Sequence, residues 1–229
     1  MIELVRKSLM LLGKVRFVRK ICFHFLQNID RFVLMHTEYG FLDEIGWTAS
    51  FNKDIPVDKL GEPLPKLCYS MIFFLKERVD KNMMVFEFGS GQSTLFLSKL
   101  AAKVVAVEHD RDWFERINSR IPNNVDLLFR DVEGNPAYSK SVVDYGKKFD
   151  LIIVDGRDRV NCVFNAYDAL KENGVIVFDD SYREEKYNKA FSFLKEKGFK
   201  TISFHGISPG CFLDHESTIF YREKNVFNI

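Results

Sequence analysis

From about residue 66 onward the chain alternates two hydrophobic rhythms. Short apolar runs at Met84–Phe88, Val104–Glu108, Val125–Phe129, Leu151–Val154 and Val175–Phe178 read as strands. Several are apolar at nearly every position, as strands covered on both faces are. Between them, apolar residues recur at helical spacing over Ser93–Leu100, Asp112–Ile121, Val160–Lys171 and Glu184–Lys197. An earlier helix is predicted over Lys66–Val79, with Leu67, Met71, Phe74 and Leu75 on one side. Lys171-Glu172-Asn173-Gly174 reads as a helix terminus. Two further strands, Lys200–Phe204 and Thr218–Arg222, are joined by a loop too short for a crossover helix, so they should pair antiparallel. The repeated β-α-β order predicts an α/β fold with a mostly parallel sheet between two layers of helices.

The upstream third of the chain breaks this rhythm. Residues 37–65 read as a long irregular connection punctuated by Gly40, Gly46, Pro56, Gly61, Pro63 and Pro65, with Trp47 and Phe51 as anchors. A segment of that length serves either as a lid over a binding site or as packing across the domain surface. Residues 1–36 carry Arg6, Lys7, Lys14, Arg16, Arg19, Lys20 and Arg31 against only Glu3 and Asp30. From Lys20, the polar set Lys20, His24, Asn28 and Arg31 runs opposite Ile21, Phe25, Ile29 and Phe32. This predicts a basic amphipathic helix, packed on the main domain, used for dimerisation, or lying on an anionic membrane surface. Leu9-Met10-Leu11-Leu12 is too short for a secretory signal, and charges recur too often for a bilayer span. The expected division is residues 1–65 as extension and lid-like connection, and 66–229 as the ligand-binding domain.

Composition narrows the class. With 229 residues, 46% hydrophobic and 28% charged, the chain reads as a soluble globular protein, its core biased toward aromatic packing by 23 phenylalanines. A net charge of +1 argues against nucleic acid as the obligatory partner. Cys22, Cys68, Cys162 and Cys211 form no C-x-x-C pair, which argues against structural zinc and a disulfide framework. Reduced thiols in a cytoplasmic protein are expected, placed at the inner membrane face if the basic helix binds lipid.

The chemistry concentrates at the carboxyl ends of the predicted strands, where open α/β sheets bind ligands. Glu87 and Gly89, Glu108 and His109, Arg130 and Asp131, Asp155 and Gly156, and Asp179 and Asp180 fall there in turn. Val85-Phe86-Glu87-Phe88-Gly89-Ser90-Gly91-Gln92-Ser93-Thr94 is a strand running into a glycine turn and then a helix. Glu108 follows at the ~20-residue distance of a nucleoside ribose contact. A dinucleotide turn asks for a third glycine where this chain has Thr94. Glu87, two residues ahead of the turn, suits a cationic amino-acid group better than a pyrophosphate.

These segments resemble the motifs of class I S-adenosylmethionine (SAM)-dependent methyltransferases. Glu87-Phe88-Gly89-Ser90-Gly91 is similar to the family's E/D-x-G-x-G motif, and Val107-Glu108-His109-Asp110 to its ribose-binding strand end. Arg130-Asp131-Val132 resembles the adenine contact, Phe149–Gly156 the fourth-strand motif and Asn173–Asp180 the fifth. The likeness runs from about Asn82 to Arg222. It implies a three-layer Rossmann-like fold with seven strands, the last antiparallel, and S-adenosyl-L-methionine as cofactor. The implied cofactor residues are Glu87, Gly89, Ser90, Gly91, Ser93, Thr94, Glu108, His109, Asp131 and Asp155. The acceptor is then a small molecule or glycan precursor methylated on oxygen, or less favourably on nitrogen. A nicotinamide-dependent oxidoreductase and a non-catalytic binding or assembly protein on the same fold are the competing readings. Thr94 and the reversed last strand weaken the first of these.

A hydroxyl acceptor gains from a general base, which an already ionised acceptor does not need. Asp155 and Asp179 are candidates at the reaction face, and His205, after the sixth strand, is the preferred histidine over His215. Arg157 and Arg159, with Asp180, stand where an acceptor would enter, and the arginine forks suit a carboxylate or phosphate. In catechol-type O-methyltransferases, places like those of Asp155, Asp179 and Asp180 bind magnesium as Asp, then Asp-Asn. Asp180 departs from that pattern, so Mg²⁺ is compatible with the oxygen ligands but not favoured.

Overall fold

The computed structural model describes residues 40–132 and 136–229. Fifteen segments of regular structure follow in this part of the chain. They are α1 (Phe41–Glu44), α2 (Trp47–Lys53), α3 (Tyr69–Arg78), β1 (Met84–Phe88), α4 (Gln92–Leu100), β2 (Lys103–Glu108), α5 (Arg111–Asn118) and β3 (Val125–Phe129). Then come α6 (Ala137–Asp144), β4 (Phe149–Val154), α7 (Arg159–Ala169), β5 (Leu170–Asp179), α8 (Glu184–Glu196), β6 (Lys200–Ile207) and β7 (Asp214–Tyr221). The strands form one seven-stranded sheet in the order β3-β2-β1-β4-β5-β7-β6. The first five run parallel, and β7 lies antiparallel to both β5 and β6.

Burial on both faces explains the unbroken apolar strands. All six residues of β4 are buried, as expected of a central strand between two helical layers. On one face Val85, Ile153, Val177 and Ile219 pack against Met71, Ile72 and Leu75 of α3 and Leu97 of α4. On the other, Phe86, Phe88, Ile152 and Phe178 pack against Val142 of α6, Val163 of α7 and Leu194 of α8. The phenylalanine content shows here, with Phe86 at 4.9 Å from Phe88 and 5.1 Å from Phe149 in edge-on contacts.

Three elements differ from the sequence expectation. Residues 40–65 are not wholly irregular, since α1 and α2 form there. Trp47 is buried and donates its indole N–H to the Cys211 carbonyl at 2.9 Å, while Phe51 stacks on Trp47 at 5.3 Å yet remains exposed. Helix α6 was not expected, because its buried residues Tyr138, Ser139, Ser141 and Val142 are half polar and blur the apolar spacing. Lys171–Gly174 does not close a helix. Helix α7 ends at Ala169, and Leu170 already pairs with Phe149 before a register shift into Leu151–Val175. Gly174 answers a close approach instead, for a Cβ there would stand 2.7 Å from the Leu170 side chain.

The basic amphipathic helix expected within residues 1–36, and Cys22, lie outside the described residues. Cys68, Cys162 and Cys211 are free thiols. No helix among the described residues is long and apolar enough to cross a membrane.

Candidate active site

Alternation along the strands collects the acidic side chains on one face. Glu87 pairs with Ile153, two residues ahead of Asp155, and Asp179 pairs with Ser217. Their strand neighbours Val85, Ile153, Val177 and Ile219 all belong to the core under α3 and α4. Glu87, Asp155 and Asp179 therefore form a row across the carboxyl edge of the sheet.

At one end of this row is the glycine turn. The Gly89 N–H donates to the Val107 carbonyl at 2.9 Å, tying the turn to β2. The Gly91 N–H donates to Thr94 Oγ1 at 3.0 Å, and the Thr94 hydroxyl donates to Glu87 Oε2 at 2.6 Å. Thr94 thus links the turn to the carboxylate beneath it. Burial raises Glu87 to about 7 against the opposing effect of the Ser93 and Thr94 hydroxyls, with the charge of Glu108 adding to the rise. Glu108 is held by three donors. Its Oε1 accepts from the backbone N–H of His109 at 2.7 Å and of Asp110 at 2.9 Å, and its Oε2 accepts from the Ser90 hydroxyl at 2.9 Å. The Trp113 indole N–H donates to the Ser90 carbonyl at 2.8 Å and backs the turn.

Between these carboxylates lies a cavity of about 300 Å³, lined on this side by Glu87, Gly89, Ser90, Ser93, Glu108 and His109. Asp155, Gly156, Arg157 and Arg159 line its other side. Gly156 cannot carry a side chain, because a Cβ would stand 1.9 Å from the buried Tyr138 hydroxyl and 3.0 Å from Gly89 N.

The row ends in a network of charges. Arg159 Nη2 lies 3.1 Å from Asp155 Oδ1 and 3.3 Å from Asp180 Oδ2, while its Nε donates to the Gly156 carbonyl at 3.0 Å and its Nη1 to the Asp179 carbonyl. His215 Nε2 is 2.8 Å from Asp179 Oδ1, which also accepts from the Ser217 hydroxyl at 2.7 Å. Burial opposes ionisation of Asp179, but the hydrogen bond and charge of His215, with Ser217, hold it below the ordinary carboxylate range. Burial likewise opposes protonation of His215, and the carboxylates of Asp179 and Asp180 overcome it. Asp155 goes the other way. Burial pushes it well above its ordinary value, the Asp179 charge adds to this, and Arg159 only partly offsets both.

Comparison with known proteins identifies the kind of domain that carries this cavity. A methyltransferase domain family matches residues 86–181, from within β1 to just past β5. The chain carries a class I SAM-dependent methyltransferase domain. The methyltransferase is 26% identical over 156 residues to a probable cobalt-precorrin-6B C(15)-methyltransferase (decarboxylating) from Sulfurisphaera tokodaii, across 64% of this chain and 77% of that protein. Its fold is shared with a precorrin 8w decarboxylase from Methanobacterium thermoautotrophicum, at TM-score 0.54 and 17% identity, over 74% of this chain and 97% of the other. A methyltransferase-like protein from Silicibacter pomeroyi is alike at TM-score 0.52 and 18% identity, over 70% and 90%.

The donor set of the methyltransferase fits SAM. A buried carboxylate, Glu87, is available for a cationic amino group. Glu108 already accepts from a hydroxyl, that of Ser90, which is the type of donor a ribose presents. Of the residues singled out from sequence, Glu87, Gly89, Ser90, Ser93, Glu108, His109, Asp155, Arg157 and Arg159 line the cavity, and Gly91 and Thr94 brace it from behind. Asp131 is exposed beyond β3 and is not part of the lining. Asp179 and Asp180 stand behind Asp155 and Arg159.

His205 is not brought to this network. It pairs with Glu216, so it projects from the sheet face opposite to His215 and Ser217, and it stays exposed with Nδ1 4.0 Å from Asp214 Oδ2. The ligand atoms of Asp179, Asp180 and His215 lie within 4.8 Å of one another. That set brings a nitrogen into a group already neutralised by Arg159, Arg183 and His215 itself, unlike the all-oxygen set magnesium takes. Trp113, Tyr138 and Ser217 escaped the sequence reading. Only the Trp113 indole, a donor that needs a partner when half-buried, left a trace in the sequence.

Proposed function

We propose that this methyltransferase acts on an oxygen of a small molecule or glycan precursor, with Asp155 as the group that takes the acceptor's proton. SAM supplies the electrophilic methyl group. Glu87 would hold its amino group, Glu108 its ribose, the turn of Gly89, Ser90 and Gly91 its backbone-facing side, and His109 would flank the adenosine. Asp155 closes the same cavity. The observation that carries the reading is the position of Asp155: it borders the cavity, while Asp179 and Arg159 fix its orientation from behind. A carboxyl group raised in this way is a stronger base than a free one, which is what a hydroxyl acceptor requires. His215, whose proton the carboxylates of Asp179 and Asp180 hold more firmly than usual, supports the arrangement as a positive charge rather than as a base.

Two measurements separate the halves of this proposal. Calorimetry with S-adenosylhomocysteine should give a clear binding isotherm, and Glu108→Ala should lose most of that affinity. Unchanged binding in that variant removes the ribose assignment. Asp155→Asn, assayed against a panel of hydroxylated and amino acceptors, should lose about a hundredfold or more in kcat with the hydroxylated ones. Equal loss with amines would shift Asp155 from proton acceptor to cofactor positioning.

A further inference from the structure

Next to the cofactor cavity is a second one, of about 240 Å³, between the starts of α7 and α8. The two share Gly156, Arg157 and Arg159 as a common wall. The second adds Arg183, Lys186 and Tyr187, so four cationic side chains surround one small space.

Charge around that space is unbalanced. Arg159 and Arg183 are engaged by the same carboxylate, Asp180, at 3.3 and 3.4 Å, and Arg183 also donates to the Tyr182 hydroxyl. Among the described residues, neither Arg157 nor Lys186 forms an ion pair. Lys186 instead lies 5.4 Å from the Tyr187 ring centre. Asp158, the acidic residue in the lining, is exposed and turned to the Asn161 amide at 2.9 Å. Two helices, of 11 and 13 residues, begin at this cavity, so their amino termini add positive potential to it. Arg157 and Lys186 are themselves exposed, so both charges can be reached by an anion arriving from solution.

We propose that this cavity is the subsite for a dianionic group, a phosphate monoester or pyrophosphate, carried by the methyl acceptor. The inference rests on SAM occupying the adjoining cavity. Arg157 and Lys186 supply the two charges that the anion neutralises, the first as a planar fork and the second as a point charge. The wall shared at Gly156 and Arg157 sets the distance between the anchored anion and the atom to be methylated. An acceptor stripped of its anionic group would lose this anchor and with it the alignment that methyl transfer depends on.

Inorganic pyrophosphate is a sufficient probe. Titrated calorimetrically into the full chain already saturated with S-adenosylhomocysteine, it should bind saturably. The double variant Arg157→Gln/Lys186→Gln should weaken that binding about tenfold or more, while Lys186→Gln, the change of the two that does not touch the cofactor cavity, should leave S-adenosylhomocysteine affinity within about twofold. Each 1.4 kcal/mol lost corresponds to that tenfold factor. The proposal is overturned if wild type shows no saturable binding, if the double variant binds equally well, or if pyrophosphate competes with S-adenosylhomocysteine. Competition would assign the cations to the cofactor. Should S-adenosylhomocysteine itself fail to bind, the cofactor assignment is what falls, and pyrophosphate binding to the unliganded chain still tests the cations.

Discussion

Glu87 is 1% exposed, and the hydroxyls that reach it do not repay its burial, so its carboxyl holds a proton up to about 7. Between its ordinary value and 7 the native state binds more protons at this site than the unfolded chain does. Stability from this group therefore falls as pH rises through that window, by roughly 3 kcal/mol once ionisation is complete. Glu87→Gln removes the penalty. It should be more stable than wild type at pH 8 and nearly equal to it at pH 4.5, as urea unfolding at the two pH values will show. The same variant should bind S-adenosylhomocysteine poorly, because the cationic amino group loses its partner. In wild type, cofactor affinity should drop by up to about tenfold per pH unit below 7, since binding must then displace a proton. A pH-independent affinity in calorimetry would sink the assignment of Glu87 to the amino group. Glu87, Gly89 and Glu108 were legible in the sequence because each belongs to a short local pattern of strand, turn and strand end. Trp113, which backs the turn, was not, since nothing local says that its indole reaches Ser90.

Helix α6 matters to the site although it touches the cavity only through another element. Its Tyr138 is 1% exposed, its hydroxyl has no hydrogen-bond partner, and Gly156 of the β4–α7 turn packs directly against it. An unpaired buried hydroxyl is a cost, so Tyr138→Phe alone should leave stability unchanged or raise it. Gly156→Ala should lose about 1–3 kcal/mol through the clash. Combining it with Tyr138→Phe should recover part of that, though not all, because Gly89 N and Phe88 C also stand at 3.0 Å. Thermal melts of the three variants give the comparison, and full independence of the two changes would mean that Tyr138 moves aside freely. At this scale strands β1 to β5 and helices α4, α7 and α8 were readable from hydrophobic period alone. Helix α6 was not, because two serines, Ser139 and Ser141, share its buried face with Tyr138 and Val142 and break the apolar stripe. Helix α2 is fastened at Ser50, which bonds both the carbonyl and the N–H of Val57, and at Trp47, which bonds the distant Cys211. Neither contact has a periodic signature.

The reversal of β7 decides which histidine meets the acidic row. Sequence reading preferred His205 because it follows the predicted end of the sixth strand, but β6 continues to Ile207 and keeps His205 in the ladder opposite Glu216. His215 pairs one position further along, opposite Gly206, and a one-residue difference in a strand is a change of face. It therefore shares a side with Ser217 and closes on Asp179 of β5. Register across three strands, which no single segment encodes, sets this contact. The pair also ties the last hairpin to the parallel half of the sheet. A histidine raised above its unfolded value contributes stability that is fully present below about pH 6.5 and is lost as pH rises through its native value. His215→Asn should thus be destabilised relative to wild type at pH 6, and the gap should narrow as pH is raised toward 9. Urea midpoints for the two proteins across that range provide the check. The variant should also leave Asp179 buried without its cation, so that the proton held at Asp155 and Asp179 is bound more tightly. In that case the pH at which activity with a hydroxylated acceptor appears should move upward in His215→Asn. A profile that stays in place, with stability changed as described, would mean that His215 serves the hairpin alone and not the proton chemistry of the acidic row.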